Sequence, residues 1–173
     1  DIKKVKRMMD VGTGAGFPGV PLKIAFPHLE ACLLDSLKKR VNFLEETFDL
    51  LKLTDITAVH GRAEEYAKNK AYRESFDLCV SRAVSNLATL SEYCLPYVKV
   101  GGSFISYKSG TVQEEAEQAE KAVKILGGKI RDVVYFSLPD SEIQRSLVVI
   151  EKVKSTPGKY PRKAGTPLKE PLV

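Results

Sequence analysis

Short apolar runs alternate with longer amphipathic stretches along most of this chain. Seven runs have the length and composition of buried strands, and they cover residues 6–11, 31–35, 56–60, 76–81, 101–108, 129–138 and 144–153. The stretches between the first six runs predict helices, because apolar residues such as Val41, Leu44 and Phe48 recur at helical spacing. Strands that alternate with helices indicate a mainly parallel sheet covered on both faces.

The last two runs break this alternation. No helix fits between Pro139 and Gln144, so a crossover connection is excluded and we expect the final strand to be antiparallel to its neighbour. A seven-stranded, mostly parallel sheet with an antiparallel last strand is typical of Rossmann-like, class I S-adenosylmethionine-dependent methyltransferases. We therefore predict an α/β fold of this type over residues 1–153, followed by a basic, proline-rich C-terminal tail at residues 154–173.

A glycine-rich loop follows the first strand in the segment DVGTGAGFPG, residues 10–19. Glycines at such a strand–helix junction let the backbone adopt positive φ and approach a ligand closely. The loop fits two spacings. Gly14, Gly16 and Gly19 match the dehydrogenase form G-x-G-x-x-G, whereas Asp10, Gly12, Gly14 and Gly16 match the methyltransferase form D-x-G-x-G-x-G. A glycine-rich turn without a ligand is the remaining alternative.

Acidic residues follow the second and third strands. Asp35 ends the second strand about 20 residues beyond the loop, where a carboxylate can accept hydrogen bonds from ribose hydroxyls. It could instead be a helix N-terminal acid, but Ser36 fits that capping role better. After the third strand, Glu64 or Glu65 could contact adenine, or simply be first-turn acids of a short helix.

Composition and charge narrow the setting of the protein. The 173 residues fit one domain with a sizeable core, and the net charge of +5 weakly favours a polyanionic partner. Three cysteines without a C-x-x-C pair, and only two histidines, make a metal site or a disulfide framework unexpected. The apolar runs are too short to cross a bilayer. We expect a cytoplasmic protein without a metal.

Five segments together resemble one known family. They are MDVGTGAGFPGVPLKI (9–24), DSLKKRVNFL (35–44), GRAEE (61–65), SRAV (81–84) and YPRKAGTPLKEPL (160–172). The family is that of the bacterial small-subunit (16S) ribosomal RNA guanine-N7 methyltransferases, also called glucose-inhibited division protein B, and the resemblance runs nearly end to end. The joint occurrence of FPG, SRA and PRKxGTPxKxPL is far more specific than a glycine loop. The family's N-terminal helical segment has no counterpart here, so we expect it to be absent from this chain.

The resemblance implies the cofactor, the reaction and a set of cofactor-binding residues. The cofactor would be S-adenosylmethionine, and the methyl group would pass to N7 of a guanine in small-subunit rRNA. By the resemblance, Gly12 and Phe17 belong to the cofactor loop, Ala63 and Glu64 to the adenine edge, and Arg82 to both cofactor and substrate. The full predicted set is Asp10, Gly12, Gly14, Gly16, Phe17, Asp35, Ser36, Ala63, Glu64 and Arg82. Arg82 could alternatively be a surface arginine paired with Asp77 or Glu92.

Basic residues of the later strands and the tail are candidate RNA contacts. Prolines in the tail favour an extended backbone, along which basic groups could follow phosphates; a solubilising end is the alternative. Phe17, Tyr107 or Tyr135 could stack on a base, although each could equally belong to the core or rim. The predicted RNA-binding residues are Arg82, Lys108, Arg145, Arg162 and Lys163.

The predicted chemistry needs positioning more than acid–base catalysis. N7 of guanine carries a lone pair and no proton, so we expect no general base, and neither His28 nor His60 is predicted to act as one. The expected partner is small-subunit rRNA or its particle, bound by a monomer. Two alternatives remain open from the residues, namely an NAD-dependent oxidoreductase and a non-catalytic RNA-binding module with a methyltransferase-like fold.

Overall fold

The structure of the protein is a computed structural model that describes residues 1–82 and 85–172. Seven strands are present: β1 (Arg7–Val11), β2 (Glu30–Asp35), β3 (Ile56–His60), β4 (Phe76–Arg82), β5 (Val98–Ser109), β6 (Gly128–Ser137) and β7 (Gln144–Lys152). The helices are α1 (Gly19–Ala25), α2 (Lys38–Leu50), α3 (Ala63–Tyr66), α4 (Leu87–Cys94), α5 (Gln113–Ile125) and α6 (Thr166–Lys169). All seven predicted strands are therefore found, with bounds that differ by a few residues at most.

The strands form one sheet in the order β3-β2-β1-β4-β5-β7-β6. Neighbouring strands from β3 to β5 are parallel, whereas β7 is antiparallel to both β5 and β6. The last strand thus inserts between its two predecessors in the sheet. This arrangement confirms the predicted α/β fold with a reversed final strand.

Helices cover both faces of the sheet. Successive strand residues point to opposite faces, so each strand packs against the helices on both sides. Met8 and Met9 show this directly, since both are fully buried but belong to different hydrophobic clusters. Met9 packs in the cluster that includes residues of α4 and α5, and Met8 packs with Leu44 and Phe48 of α2. No helix in the described part of the chain is long and apolar enough to cross a membrane.

The strand order reverses between β1 and β4, which places the loops after both strands beside each other. The carboxyl ends of parallel strands at such a switch point form the crevice in which ligands of open α/β sheets bind. Asp10 pairs in register with Leu33 of β2 and Val80 of β4, and Arg82 pairs with Tyr107 of β5. The glycine loop, the end of β2 and the end of β4 therefore share one edge of the sheet.

The C-terminal tail differs from the extended segment that its prolines predict. Residues 154–172 fold back onto the domain and include α6, with Thr156, Tyr160 and Pro167 buried. The Arg73 guanidinium donates hydrogen bonds to the carbonyl oxygens of Tyr160 (2.9 Å) and Thr156 (2.8 Å). The expectation of an extended tail was wrong because side chains of the domain satisfy the tail's backbone groups and bury its apolar residues.

Candidate cofactor and substrate site

The glycine loop is held in place by the acid that precedes it. Asp10 is fully buried, and its Oδ2 accepts hydrogen bonds from Thr13 Oγ1 (2.7 Å) and from the Gly19 amide (2.9 Å). One carboxylate oxygen thus joins the start of the loop to the first residue of α1. This is the loop-orienting role that the methyltransferase spacing predicts for Asp10.

Burial also changes the protonation of Asp10. Desolvation raises its pKa from 3.8 to about 6, although the hydrogen bonds from Thr13 and Gly19 and the charge of Arg82 oppose that rise. Its second oxygen, Oδ1, is buried without a hydrogen-bond partner among the described residues. Such an atom is unusual in a folded protein.

Two loop glycines are required for different reasons. Gly14 has φ of +63°, and a Cβ built there would meet nothing within 4 Å, so the residue faces open space. Gly16 has φ of +95°, and a Cβ there would lie 2.6 Å from Cγ2 of Val20. Gly14 therefore lets the backbone approach a ligand, whereas Gly16 lets the loop pack against α1. Gly12 has φ of +71° and lines a large cleft beside the glycine loop.

Asp35 at the end of β2 faces the same loop. Its Oδ2 accepts from the Gly14 amide (2.9 Å) and from Arg40 Nη1 (3.3 Å), and its Oδ1 accepts from the Leu37 amide (2.9 Å). The predicted cap of α2 by Ser36 was wrong, because Leu37 is the N-cap residue and no side chain caps the helix. Asp35 instead accepts a hydrogen bond from the Leu37 amide, just before α2 begins, and Ser36 lines a large cleft beside the glycine loop.

A small cavity of about 180 Å³ continues from the end of β2 to the end of β3. Val11, Ala63, Tyr93 and Leu168 give it apolar walls, and Glu64 lies in the same lining. Glu64 is only 4% exposed, and its Oε1 accepts a hydrogen bond from the Gly165 amide of the tail (2.8 Å). The two residues predicted at the adenine edge therefore meet in one cavity, but Glu64 already has a partner.

A larger cleft of about 1270 Å³ lies on the other side of the loop. The cleft and the small cavity share Gly12, Asp35, Ser36 and Ser85 in their linings, so they lie next to each other. Most of the remaining lining comes from the ends of β4 to β7 and from the glycine loop, and it includes Thr13, Gly14, Phe17, Arg82, Tyr107, Lys108, Phe136, Leu138, Arg145 and Leu147.

Arg82 points across the loop rather than toward the acids considered as alternative partners. Its guanidinium carbon lies 5.3 Å from the centre of the Phe17 ring, a cation–π distance. Asp77 is paired with Lys99, and Glu92 with Arg162. In the SRAV segment, Ala83 and Val84 lie outside the described residues.

The predicted RNA-binding residues separate into two groups. Arg82, Lys108 and Arg145 line the large cleft, whereas Arg162 and Lys163 belong to the tail and do not. Lys108 Nζ donates to Glu115 Oε1 (2.7 Å) and to the Ser85 carbonyl oxygen (2.8 Å), which leaves it little capacity for phosphate. Arg162 binds the fully buried Glu92. RNA contact by Lys108 and Arg162 stays a prediction, and this geometry does not favour it.

The aromatic lining was predicted in part. Phe17 and Tyr107 line the cleft, but Phe136 does so in place of its neighbour Tyr135. Adjacent residues of a strand face opposite sides of the sheet, and Phe136 pairs in register with Arg145 of the cleft. Sequence reasoning also missed Arg40 in the lining, although its basic cluster follows the predicted ribose acid directly.

Comparison with known protein families shows which family this chain belongs to. The family model described as "GidB: rRNA small subunit methyltransferase G" matches residues 1–148. The chain belongs to this family. "Ribosomal RNA small subunit methyltransferase G" of Lachnoclostridium phytofermentans is 58% identical over 172 residues, which are 99% of this chain and 71% of the relative. The protein of the same name from Clostridium novyi is 52% identical, with the same shares covered.

Solved structures show the same fold at low sequence identity. TrmN from Thermus thermophilus superposes with a TM-score of 0.63 at 15% identity, over 86% of this chain and 44% of that chain. Geranyl diphosphate C-methyltransferase from Streptomyces coelicolor, solved with S-adenosyl-L-homocysteine, also superposes with a TM-score of 0.63. Its sequence identity is 12%, over 86% of this chain and 73% of that chain. The predicted family and the class I methyltransferase fold are confirmed, and the dehydrogenase alternative is not favoured.

Proposed function

We propose that this chain transfers a methyl group from S-adenosylmethionine to N7 of a guanine in small-subunit ribosomal RNA. The observation that carries the proposal is a pair of adjacent spaces at the carboxyl ends of the parallel strands, namely a small cavity lined by Ala63 and Glu64 and a wide cleft with aromatic and cationic walls, which share Gly12 and Asp35. Membership of the family makes the chain an rRNA methyltransferase that uses this cofactor. The acceptor atom and the roles of individual residues are our proposal.

The cofactor end of the crevice fits S-adenosylmethionine group by group. Asp35 would accept a hydrogen bond from one ribose hydroxyl with the Oδ1 lone pair that the Leu37 amide leaves free, and the second hydroxyl would replace Arg40 Nη1 on Oδ2. The backbone of Gly12 and Gly14 would pass beside the methionine end, and the Asp10 carboxylate would hold that loop through Thr13 and Gly19. The cofactor, when bound, supplies a methyl group on a sulfonium, which is an electrophile that needs no activation by the protein.

The acceptor end fits a flat, electron-rich base. Phe17, Tyr107 and Phe136 offer ring faces or edges for stacking, and Arg82 and Arg145 offer cations for the base or the adjoining phosphates. No histidine occurs among the described lining residues, and the acids Asp35 and Glu115 are already hydrogen-bonded. The chain's residues would thus orient the base and exclude water, and in-line attack by the N7 lone pair would need no proton transfer.

Two binding measurements test the proposal. Calorimetric titration should show binding of S-adenosylmethionine and S-adenosylhomocysteine but not of NAD; binding of NAD alone would overturn the cofactor assignment. Affinity for small-subunit rRNA should fall steeply with salt, and Arg145→Ala should reduce the slope of log affinity against log salt by about 1. Arg131→Ala is the matched control, since Arg131 pairs with Glu151 outside the lining of the cleft. A flat salt dependence of the unaltered protein would contradict RNA binding.

The remaining expectations about setting are part of this proposal. The partner would be rRNA or the small-subunit particle, bound by a monomer, and the location would be the cytoplasm where that RNA is assembled. The described residues hold no group of three or more potential metal-ligating side chains. The cysteines Cys32, Cys79 and Cys94 are all free and buried.

A further inference from the structure

The C-terminal tail reaches the cofactor crevice at one point. Leu168 of α6 lines the small cavity at the end of β3, opposite residues of β1, α3 and α4. Leu168 is 60% exposed, although Val11, Leu34 and Ala63 line the same cavity. A flat apolar group placed in the cavity would cover the exposed side chain of Leu168.

The position of Leu168 is set by a series of anchors along the tail. The Glu74 carboxylate accepts from the Thr156 amide (2.7 Å), and Thr156 Oγ1 donates to the Leu126 carbonyl oxygen (2.7 Å). Further on, Glu92 of α4 is fully buried and binds both the amide (2.7 Å) and the guanidinium (2.7 Å) of Arg162. These anchors fix the path of the tail before it reaches the cavity.

A further anchor of the tail lies in the cavity itself. Glu64 accepts the Gly165 amide at 2.8 Å, one residue before α6 begins, and Gly165 has φ of +83°. Thr89 Oγ1 then donates to the Pro167 carbonyl oxygen (2.9 Å), the residue before Leu168. Glu64 thus holds the backbone turn that directs α6 toward the cavity, and α3 and α6 form two walls of the same space.

We propose that the C-terminal tail completes the adenine subsite, with Leu168 contacting the purine and Glu64 acting as a positioning residue that holds the tail. This inference rests on the proposed function, because it takes the small cavity to be the adenine subsite. Cofactor binding and tail docking are then thermodynamically linked, so each stabilises the other. The family motif PRKAGTP lies in this chain just before Leu168, and its arginine, Arg162, is one of the anchors.

Leu168→Ala tests the contact, and Leu50→Ala is its matched control. Leu50 ends α2, is 81% exposed and does not line either cavity, so the control removes the same atoms from another exposed leucine. Leu168→Ala should weaken binding of S-adenosylhomocysteine about fivefold to tenfold, because the purine no longer covers apolar surface. Binding of 5′-methylthioadenosine, which keeps the adenine but lacks the amino acid, should weaken by the same factor.

The outcomes separate this inference from the proposed function. If the unaltered protein fails to bind S-adenosylhomocysteine, the proposed function fails. If it binds, but Leu168→Ala matches Leu50→Ala within about twofold, only the role of the tail is overturned. A loss for S-adenosylhomocysteine without a loss for 5′-methylthioadenosine would place Leu168 away from the adenine and would also overturn it.

A double-mutant cycle tests how Glu64 acts. Glu64→Gln keeps an oxygen that can accept the Gly165 amide and should retain binding, whereas Glu64→Ala should weaken binding by about the same factor as Leu168→Ala. If Glu64 acts through the tail, Glu64→Ala and Leu168→Ala together should cost little more than Glu64→Ala alone, and additive losses would refute the positioning role. As an independent readout, S-adenosylhomocysteine should slow hydrogen exchange of the amides of residues 165–170, and unchanged exchange there would contradict the linkage.

Discussion

Replacing Arg162 by methionine should strongly destabilise the protein. The change keeps most of the apolar stem but removes the guanidinium that binds Glu92, whose side chain is 0% exposed. Three side-chain hydrogen bonds to the carboxylate disappear, at 3.0, 3.1 and 2.7 Å, and only the bond from the Arg162 amide remains. Glu92 would become a buried charge with one donor.

The expected loss follows from the cost of stranding a buried charge. Removing one partner of a buried ion pair costs about 3–5 kcal/mol of folding free energy. We expect roughly 3 kcal/mol, at the lower end of this range, because the Arg162 side chain is 24% exposed and water can reach part of the space that it leaves. That loss is a large share of the stability of an ordinary domain.

Urea unfolding followed by circular dichroism at pH 7 measures this loss, provided that the dependence on urea keeps its slope. The control is Arg162→Met combined with Glu92→Gln, which strands no charge and should recover most of the lost free energy. A loss below about 1 kcal/mol for the single variant, the scale of exposed ion pairs, would refute the structural role assigned to this pair. So would a double variant no more stable than the single one.

Three further predictions concern Asp10, the two histidines and Arg82. Because burial raises the pKa of Asp10 from 3.8 to about 6, the folded protein keeps this proton to higher pH than the unfolded chain. The stabilising contribution of protonated Asp10, up to roughly 3 kcal/mol, should be complete below pH 3.8 and lost as pH rises through 6. Urea unfolding of Asp10→Asn and of the unaltered protein across this pH range should show that difference in the free energy of unfolding. Parallel dependences on pH for the two proteins would contradict it. His28→Ala and His60→Ala should each keep most methyl-transfer activity, and a loss beyond about a hundredfold in either would indicate general-base catalysis. Arg82→Ala should lower single-turnover methylation of RNA roughly tenfold to a hundredfold, with a smaller effect on S-adenosylhomocysteine affinity; Arg82→Lys should restore little, because lysine lacks the planar group over Phe17, and full recovery would count against stacking.

The fold and the conformation of the glycine loop could be predicted because local rules decide them. The acid and the glycines of residues 10–16 need particular backbone conformations and hydrogen bonds, and those needs leave a recognisable spacing. Asp35 could be placed because the end of a strand determines which edge of the sheet a residue joins. The antiparallel last strand followed from a turn too short for a helix.

The errors concern features that tertiary contacts decide. Ser36 looks like a helix cap, yet the Asp35 carboxylate takes the nearby amide and α2 begins two residues later. Whether Tyr135 or Phe136 faces the cleft depends on strand register, which composition does not reveal. The tail reads as an extended basic segment, but Arg73 and Glu92 lie 70 to 87 residues away in sequence from the tail groups they bind. Such pairings have no local signal.

The central claim is that this crevice directs methyl transfer to N7 of an rRNA guanine. The most direct test incubates the protein with S-adenosylmethionine carrying a labelled methyl group and with unmethylated small-subunit rRNA or particles, then identifies the labelled nucleoside by mass spectrometry after complete digestion. We expect label in 7-methylguanosine, reduced to background when Asp35 is replaced by alanine and cofactor binding is lost. Label in any other nucleoside, or none in RNA while S-adenosylhomocysteine still binds, would contradict it.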